Sequence, residues 1–135
     1  MAHWISQEIL ANLETLSQAI LARQVEIQAD LAERYSGAVF VPHVWDTQIV
    51  LQNLAQALAL DSPLLFSDYI SWLKIVLESR EIPLRDLRIH LHCMQQILSQ
   101  QFGVDHAAHL AEFLDAARAE LEKTMPNIYY TRLRG

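Results

Sequence analysis

Glycine and proline are scarce in this chain, three and four among 135 residues. So few breakers leave little material for the closely spaced turns of a β-sandwich or barrel. There is one cysteine, Cys93, which excludes an intrachain disulfide and fits a reducing cytoplasm, the expected location. No apolar run reaches the roughly 18 residues of a membrane span, so no membrane association is expected. The first ten residues lack a basic stretch followed by an apolar core, and a secretory signal is not expected there. Basic residues are outnumbered by acidic ones, ten to sixteen, and the net charge of −6 argues against nucleic acid as a general partner. The short basic end at Arg132 and Arg134 reads as a solvated tail. No glycine-rich phosphate loop, cysteine zinc motif, low-complexity tract or internal repeat is present.

What is present is apolar bulk. Hydrophobic residues make up 52% of the chain, enough for a buried core in one globular domain. Abundant Leu, Ala, Gln and Glu favour helices. The expected organisation is a single helical domain over residues 1–126 and a C-terminal tail over 127–135.

Five helices are expected. The first runs from near Ser6, a candidate N-cap, to about Arg34, with Glu8 favourably placed in its first turn. Ile9, Leu13, Leu16, Ile20, Ile27 and Leu31 form its apolar stripe, interrupted by polar Arg23 and Gln24. A thinner second row comprises Leu10, Ser17 and Leu21. A helix of this length, near 40 Å at 1.5 Å per residue, would overhang so small a domain and offer surface to a second copy. Tyr35, Ser36 and Gly37 end it, and Ala38 to Val41 read as a buried connector.

The second helix is expected from Pro42 to about Ala59. Its inner face is Val50, Leu51, Leu54 and Leu58, with Trp45 and Ile49 flanking. The third follows a corner at Asp61, Ser62 and Pro63 and runs to about Ser79. It carries two apolar rows, one of Phe66, Ile70, Leu73 and Leu77, the other of Leu65, Tyr69, Trp72 and Val76. Two rows predict the most buried helix of the domain, with Ser67, Asp68, Ser71, Lys74 and Glu78 as its outer strip. The fourth covers Leu84 to about Phe102, with Leu84, Leu87, Leu91, Met94 and Leu98 as its seam. Gly103 stops it. Asp105 is the expected cap of the fifth, which buries Leu110, Phe113, Leu114, Ala117 and Leu121 and ends near Met125, before Pro126. Short connections between five helices imply an antiparallel all-α bundle, with a globin-like arrangement as the alternative.

Chemistry-bearing residues are few. His90 and His92 lie about 200° apart on one helix and cannot share a metal from the same face. His90, beside Leu91, is expected to be half buried, and His92 to face water. His106, His109 and Glu112 recur every three residues and could meet a metal on one face, but they lack thiolates and a clear fourth ligand, so an exposed polar patch is the simpler reading and no metal is assigned. His43 and His90 are the candidates for an axial haem ligand, with an ordinary histidine as the simpler reading; no cofactor is expected, a tetrapyrrole being the alternative. Cys93 beside His92 has no nucleophile-base geometry, because adjacent helical residues diverge, and reads as structural. Asp46 and Asp68 neighbour Trp45 and Tyr69; each could hydrogen-bond across helices or serve as a dipole-matched early-turn acid. Trp45, Phe66, Tyr69 and Trp72 could line a pocket for a flat ligand, although such spacing is more often core.

The stretch over residues 54–87, LAQALALDSPLLFSDYISWLKIVLESREIPLRDL, resembles a helical regulatory domain of bacterial signalling proteins, often found beside cobalamin-binding modules. Leu54, Ala57 and Leu58 carry the resemblance, followed by the run Pro63, Phe66, Tyr69 and Trp72 and the corner at Arg80, Ile82 and Pro83. Together these cover about a quarter of the chain. The resemblance implies a sensory or regulatory helical module. Asp46 matches an acid in the preceding helix of that family. The histidine that several members carry three or four residues later is Ile49 or Val50 here, so that ligand role is not carried over. An Asp-x-His-x-x-Gly motif for a cobalamin lower ligand is also missing.

No catalytic constellation is legible. The expectation is a non-enzymatic regulatory or protein-interaction domain, self-associating as a homodimer and contacting a signalling protein, with Ile128, Tyr129 and Tyr130 of the tail as candidate interface residues. The alternative is a small-molecule sensor, possible tetrapyrrole included, with a pocket between the second, third and fourth helices lined by Trp45, Asp46, Tyr69, Trp72 and His90.

Overall fold

A computed structural model of the chain describes residues 3–31 and 46–123. The described residues are all-α: six helices and no strand. We label them α1 (His3–Ala11), α2 (Leu13–Ile27), α3 (Thr47–Ala59), α4 (Pro63–Ser79), α5 (Leu84–Phe102) and α6 (Val104–Glu122). The expected helix end at 35–37, the connector at 38–41, Pro42, His43, Trp45 and the tail residues Ile128, Tyr129 and Tyr130 lie outside the described residues.

The expected first helix is two. At Asn12 the backbone leaves helical geometry (φ −128°, ψ 30°). The Asn12 side-chain amide donates to the Glu8 carbonyl at 2.8 Å, an option that competes with continued helix. A continuous 40 Å rod with spare length is therefore absent. Ser6 is not a cap but an interior residue of α1, buried, its hydroxyl donating to the Ala55 carbonyl of α3 at 2.8 Å. Buried Ala55 lets the two backbones approach this closely. Downstream, α2 stops at Ile27, which is exposed, whereas Leu31 is buried.

The later helices keep close to their punctuation. Asp46 is extended and caps α3, its carboxylate accepting the Gln48 amide N–H at 2.8 Å, so this helix begins at Thr47 instead of Pro42. Pro63 opens α4 in the first helical turn. Leu60, Asp61 and Ser62 link α3 to α4, with Asp61 at φ 49°. Gly103 alone joins α5 to α6, at φ 83° and ψ 174°, a backbone region that only glycine enters readily. That one residue caps α6, displacing the expected cap Asp105 by two positions, and α6 ends at Glu122, short of Met125.

Five helices close a ring: α3 packs on α4, α4 on α6, α6 on α5, α5 on α2, and α2 back on α3, with α1 seated against α3. Side-chain pairs give the directions. Arg88 meets Glu122 and Gln95 meets Arg118, so α5 and α6 run antiparallel. Arg23 meets Gln96, and Gln28 meets Asp86, so α2 and α5 do too. Inside the ring lie the expected inner faces of α3, α5 and α6, apart from Leu84, which is half-buried. They include Val50, Leu51, Leu54 and Leu58, then Leu87, Leu91, Met94 and Leu98, then Leu110, Phe113, Leu114, Ala117 and Leu121.

The expectation for α4 needs correction. Only the row of Phe66, Ile70, Leu73 and Leu77 is buried. Leu65 and Trp72 of the second row are exposed, and Tyr69 and Val76 are half-buried. Ser67 and Lys74, expected on the outer strip, are buried instead. The reason is α6, which lies along α4 and covers that side. The Lys74 ammonium reaches the C-terminal carbonyls of α6, donating to Lys123 and Glu120. A cation there satisfies carbonyls that have no helical partner and opposes the helix dipole.

Candidate functional site

The stripe of α2 carries a polar residue that faces the core, Gln24, and the C-cap of the helix, Gln28, faces it too. Both are buried, as are Thr47 at the start of α3 and Asp86 and His90 on α5. Uncompensated, each would cost on the order of 1–3 kcal/mol of desolvation, so their hydrogen bonds matter. The Gln24 amide nitrogen donates to the Asp86 carbonyl and to Gln28 Oε1, both at 2.9 Å. Gln28 Nε2 donates to Asp86 Oδ1 at 3.0 Å. Gln24 Oε1 faces His90 Nδ1 at 2.7 Å, and His90 Nε2 faces Thr47 Oγ1 at 3.4 Å.

The directions in this network follow from its chemistry. Gln24 Nε2 has two acceptors in front of it, which places Gln24 Oε1 against the imidazole. An amide oxygen only accepts, so His90 donates from Nδ1. In neutral imidazole Nε2 is then an acceptor, and the Thr47 hydroxyl donates to it. Burial pushes the His90 pKa down to about 3, so the ring is neutral at physiological pH. Asp86 sits in the first turn of α5, where the helix dipole favours its carboxylate. The network thereby fixes α2, α3 and α5 relative to one another through directed bonds.

His90 was expected to be half-buried and is fully enclosed. A ligand approaching its ring would have to displace Gln24 or Thr47. Of the other expected pocket residues, Asp46 and Tyr69 meet at the start of α3. Asp46 caps that helix, one residue from Thr47, and faces Tyr69 of α4. Burial, and then the Asp46 charge, push the Tyr69 phenol up to about 12. Tyr69 stacks on Trp72 with ring centroids 5.9 Å apart and planes tilted by 33°. Trp72 itself is 56% exposed and lies on the outer surface, half-buried Tyr69 packs against the core, and His90 lies in the interior. Phe66, the fourth aromatic of the expected set, is fully buried core.

The other histidines separate. His106 packs edge-on against Trp4 at 4.9 Å, and Trp4 also meets Phe102 at 5.6 Å. His109 lies between Asp61 (3.6 Å) and Glu112 (3.8 Å) and edges onto Phe113. No group of three His, Cys, Asp or Glu among the described residues is arranged to hold a metal ion. His92 is exposed, as expected. Cys93 is buried; burial raises its thiol pKa, Arg23 lowers it and Glu26 raises it, and the net direction is up. The thiol is therefore the prevailing form.

Sequence reasoning did not single out Gln28, Thr47 or Asp86. The available signal was the polar interruption at Gln24: residues 20, 24, 28 and 31 share one helical face, and apolar Ile20 and Leu31 bracket two glutamines. The chain matches no family model, no curated protein and no solved structure. Among the described residues, no helix is long and apolar enough to cross a membrane.

Proposed function

We propose that this chain is a non-enzymatic regulatory domain that works by self-association, through the outer face of α4. One observation carries this reading: α4 has a second apolar row that its own core covers only in part. Leu65, Tyr69, Trp72 and Val76 follow helical spacing, and Leu65 and Trp72 are 45% and 56% exposed. Ile49 of the adjoining α3 is exposed as well. An apolar row centred on a tryptophan is the composition of an interface core. A second copy supplies the matching surface by two-fold symmetry, since an isologous contact sets the same row against itself. The resemblance over residues 54–87 supplies the wider context, a bacterial signalling protein as the further partner, and the single cysteine suits a cytoplasmic setting.

The test is sedimentation velocity over a concentration series, on the native chain and on Leu65→Ser/Trp72→Ser. Both side chains are exposed, so circular dichroism should show unchanged helix content. The native chain should sediment as a dimer, and the double variant should raise the dimer dissociation constant by about a hundredfold or more, the loss of two hot-spot side chains. A native chain that stays monomeric to about 1 mM, or a variant that dimerises equally well, would overturn the reading.

A further inference from the structure

The outer side of α5 lies between α2 and α6, which both pack on it. His92, Gln95, Gln96 and Ser99 sit at helical spacings of three, four and seven and form the floor of a groove of about 340 Å³, with Arg118 of α6 on its bank. That volume lies within the range of small-molecule sites.

Two arginines orient the floor. Arg23 of α2 donates from Nε to Gln96 Oε1 at 3.1 Å. Arg118 donates from Nη2 to Gln95 Oε1. A guanidinium has no acceptor, so each glutamine must turn its oxygen to its arginine and keep its NH2 for another partner. The floor's side-chain carbonyls are thus turned to the two banks, and its donors are left toward the groove: the Gln95 and Gln96 amides, the Ser99 hydroxyl and further N–H groups of Arg118. The arginine charges are locally matched, Arg23 by Glu26 at 3.1 Å and Arg118 by Asp115 at 2.6 Å. The groove therefore presents oriented donors and little excess charge, which suits one carboxylate better than a phosphate dianion. Between the donors run the methylene stems of the glutamines and Arg118, an apolar bed for the rest of a ligand.

We propose that this groove binds a small organic carboxylic acid. The carboxylate lies on the Gln95 and Gln96 amides with support from Arg118, and the hydrocarbon body lies along the side-chain stems. The site is independent of the α4 face.

Titration of the 135-residue chain with hexanoate, benzoate and inorganic phosphate, followed through the glutamine side-chain amide resonances, tests this. Hexanoate and benzoate should shift Gln95 and Gln96 saturably, with millimolar affinity. The variant Gln95→Glu/Gln96→Glu keeps an oxygen for each arginine but replaces both free donors with acceptors. It should keep the native melting temperature and bind hexanoate at least tenfold more weakly. Absence of a saturable shift up to about 50 mM hexanoate or benzoate would overturn the proposal. So would undiminished binding by the variant, or phosphate binding as tight as that of hexanoate.

Discussion

Acidification from pH 7 to pH 5 should remove about 2 kcal/mol of stability through His90 alone. In the unfolded chain this imidazole takes up a proton near 6.5; in the native chain burial holds its pKa to about 3. Below 6.5 the unfolded state therefore binds a proton that the native state does not, and unfolding gains about 1.4 kcal/mol per pH unit. The stability is fully present above 6.5 and is lost as the pH falls toward 3. From 6.5 to 5 is one and a half units, hence about 2 kcal/mol. The window ends well above the native titration, so the loss is set by the unfolded chain. The assay is urea unfolding at pH 7, 6 and 5 on the native chain and on His90→Gln. The glutamine keeps an amide donor for Gln24 but cannot titrate. The five other histidines, Asp86 and the exposed carboxylates are common to both chains, so their contributions are shared. The native chain should lose about 2 kcal/mol more than the variant over this window. Equal pH slopes in the two chains would refute the enclosed, neutral imidazole.

Two further outcomes follow from single positions. Gly103→Ala should destabilise by about 1–3 kcal/mol in thermal unfolding, because φ 83° with ψ 174° is strained for any residue with a Cβ. Nothing lies within 4 Å of the added methyl, so crowding contributes nothing and the cost is that of the backbone conformation alone. Ser17 is buried with no hydrogen-bond partner for its hydroxyl. Ser17→Ala should therefore stabilise the chain by up to about 1 kcal/mol, read as a higher urea midpoint at unchanged slope.

The fold was legible where punctuation and period agree. Pro63 and Gly103 bound the helices they were expected to bound, because a missing N–H or a missing Cβ acts locally, whatever surrounds it. The inner rows of α3 and α6 were readable for a related reason: each helix has one strong apolar face and can bury only that one. On α4, two apolar rows left the choice open. The candidate site was less legible, because glutamine, threonine and aspartate give no pattern of their own when their partners are 43 to 66 residues away in sequence.

By itself, the sequence determined an all-α chain with its last four helices nearly in place, because local backbone preference and a 3.6-residue period need no partner. Tertiary structure decided the rest. Asn12 broke the first helix so that α1 could seat on Ala55 while α2 crossed to α5. Of the two rows on α4, packing by α6 and the ring closed around the core left Leu65 and Trp72 outside. Polar Gln24 and Gln28, and His90, expected half-buried, became fully interior residues because α2, α3 and α5 bring each donor to an acceptor. Burial of a polar group is tolerated only when its hydrogen bonds are met, and those partners exist only once the helices have assembled.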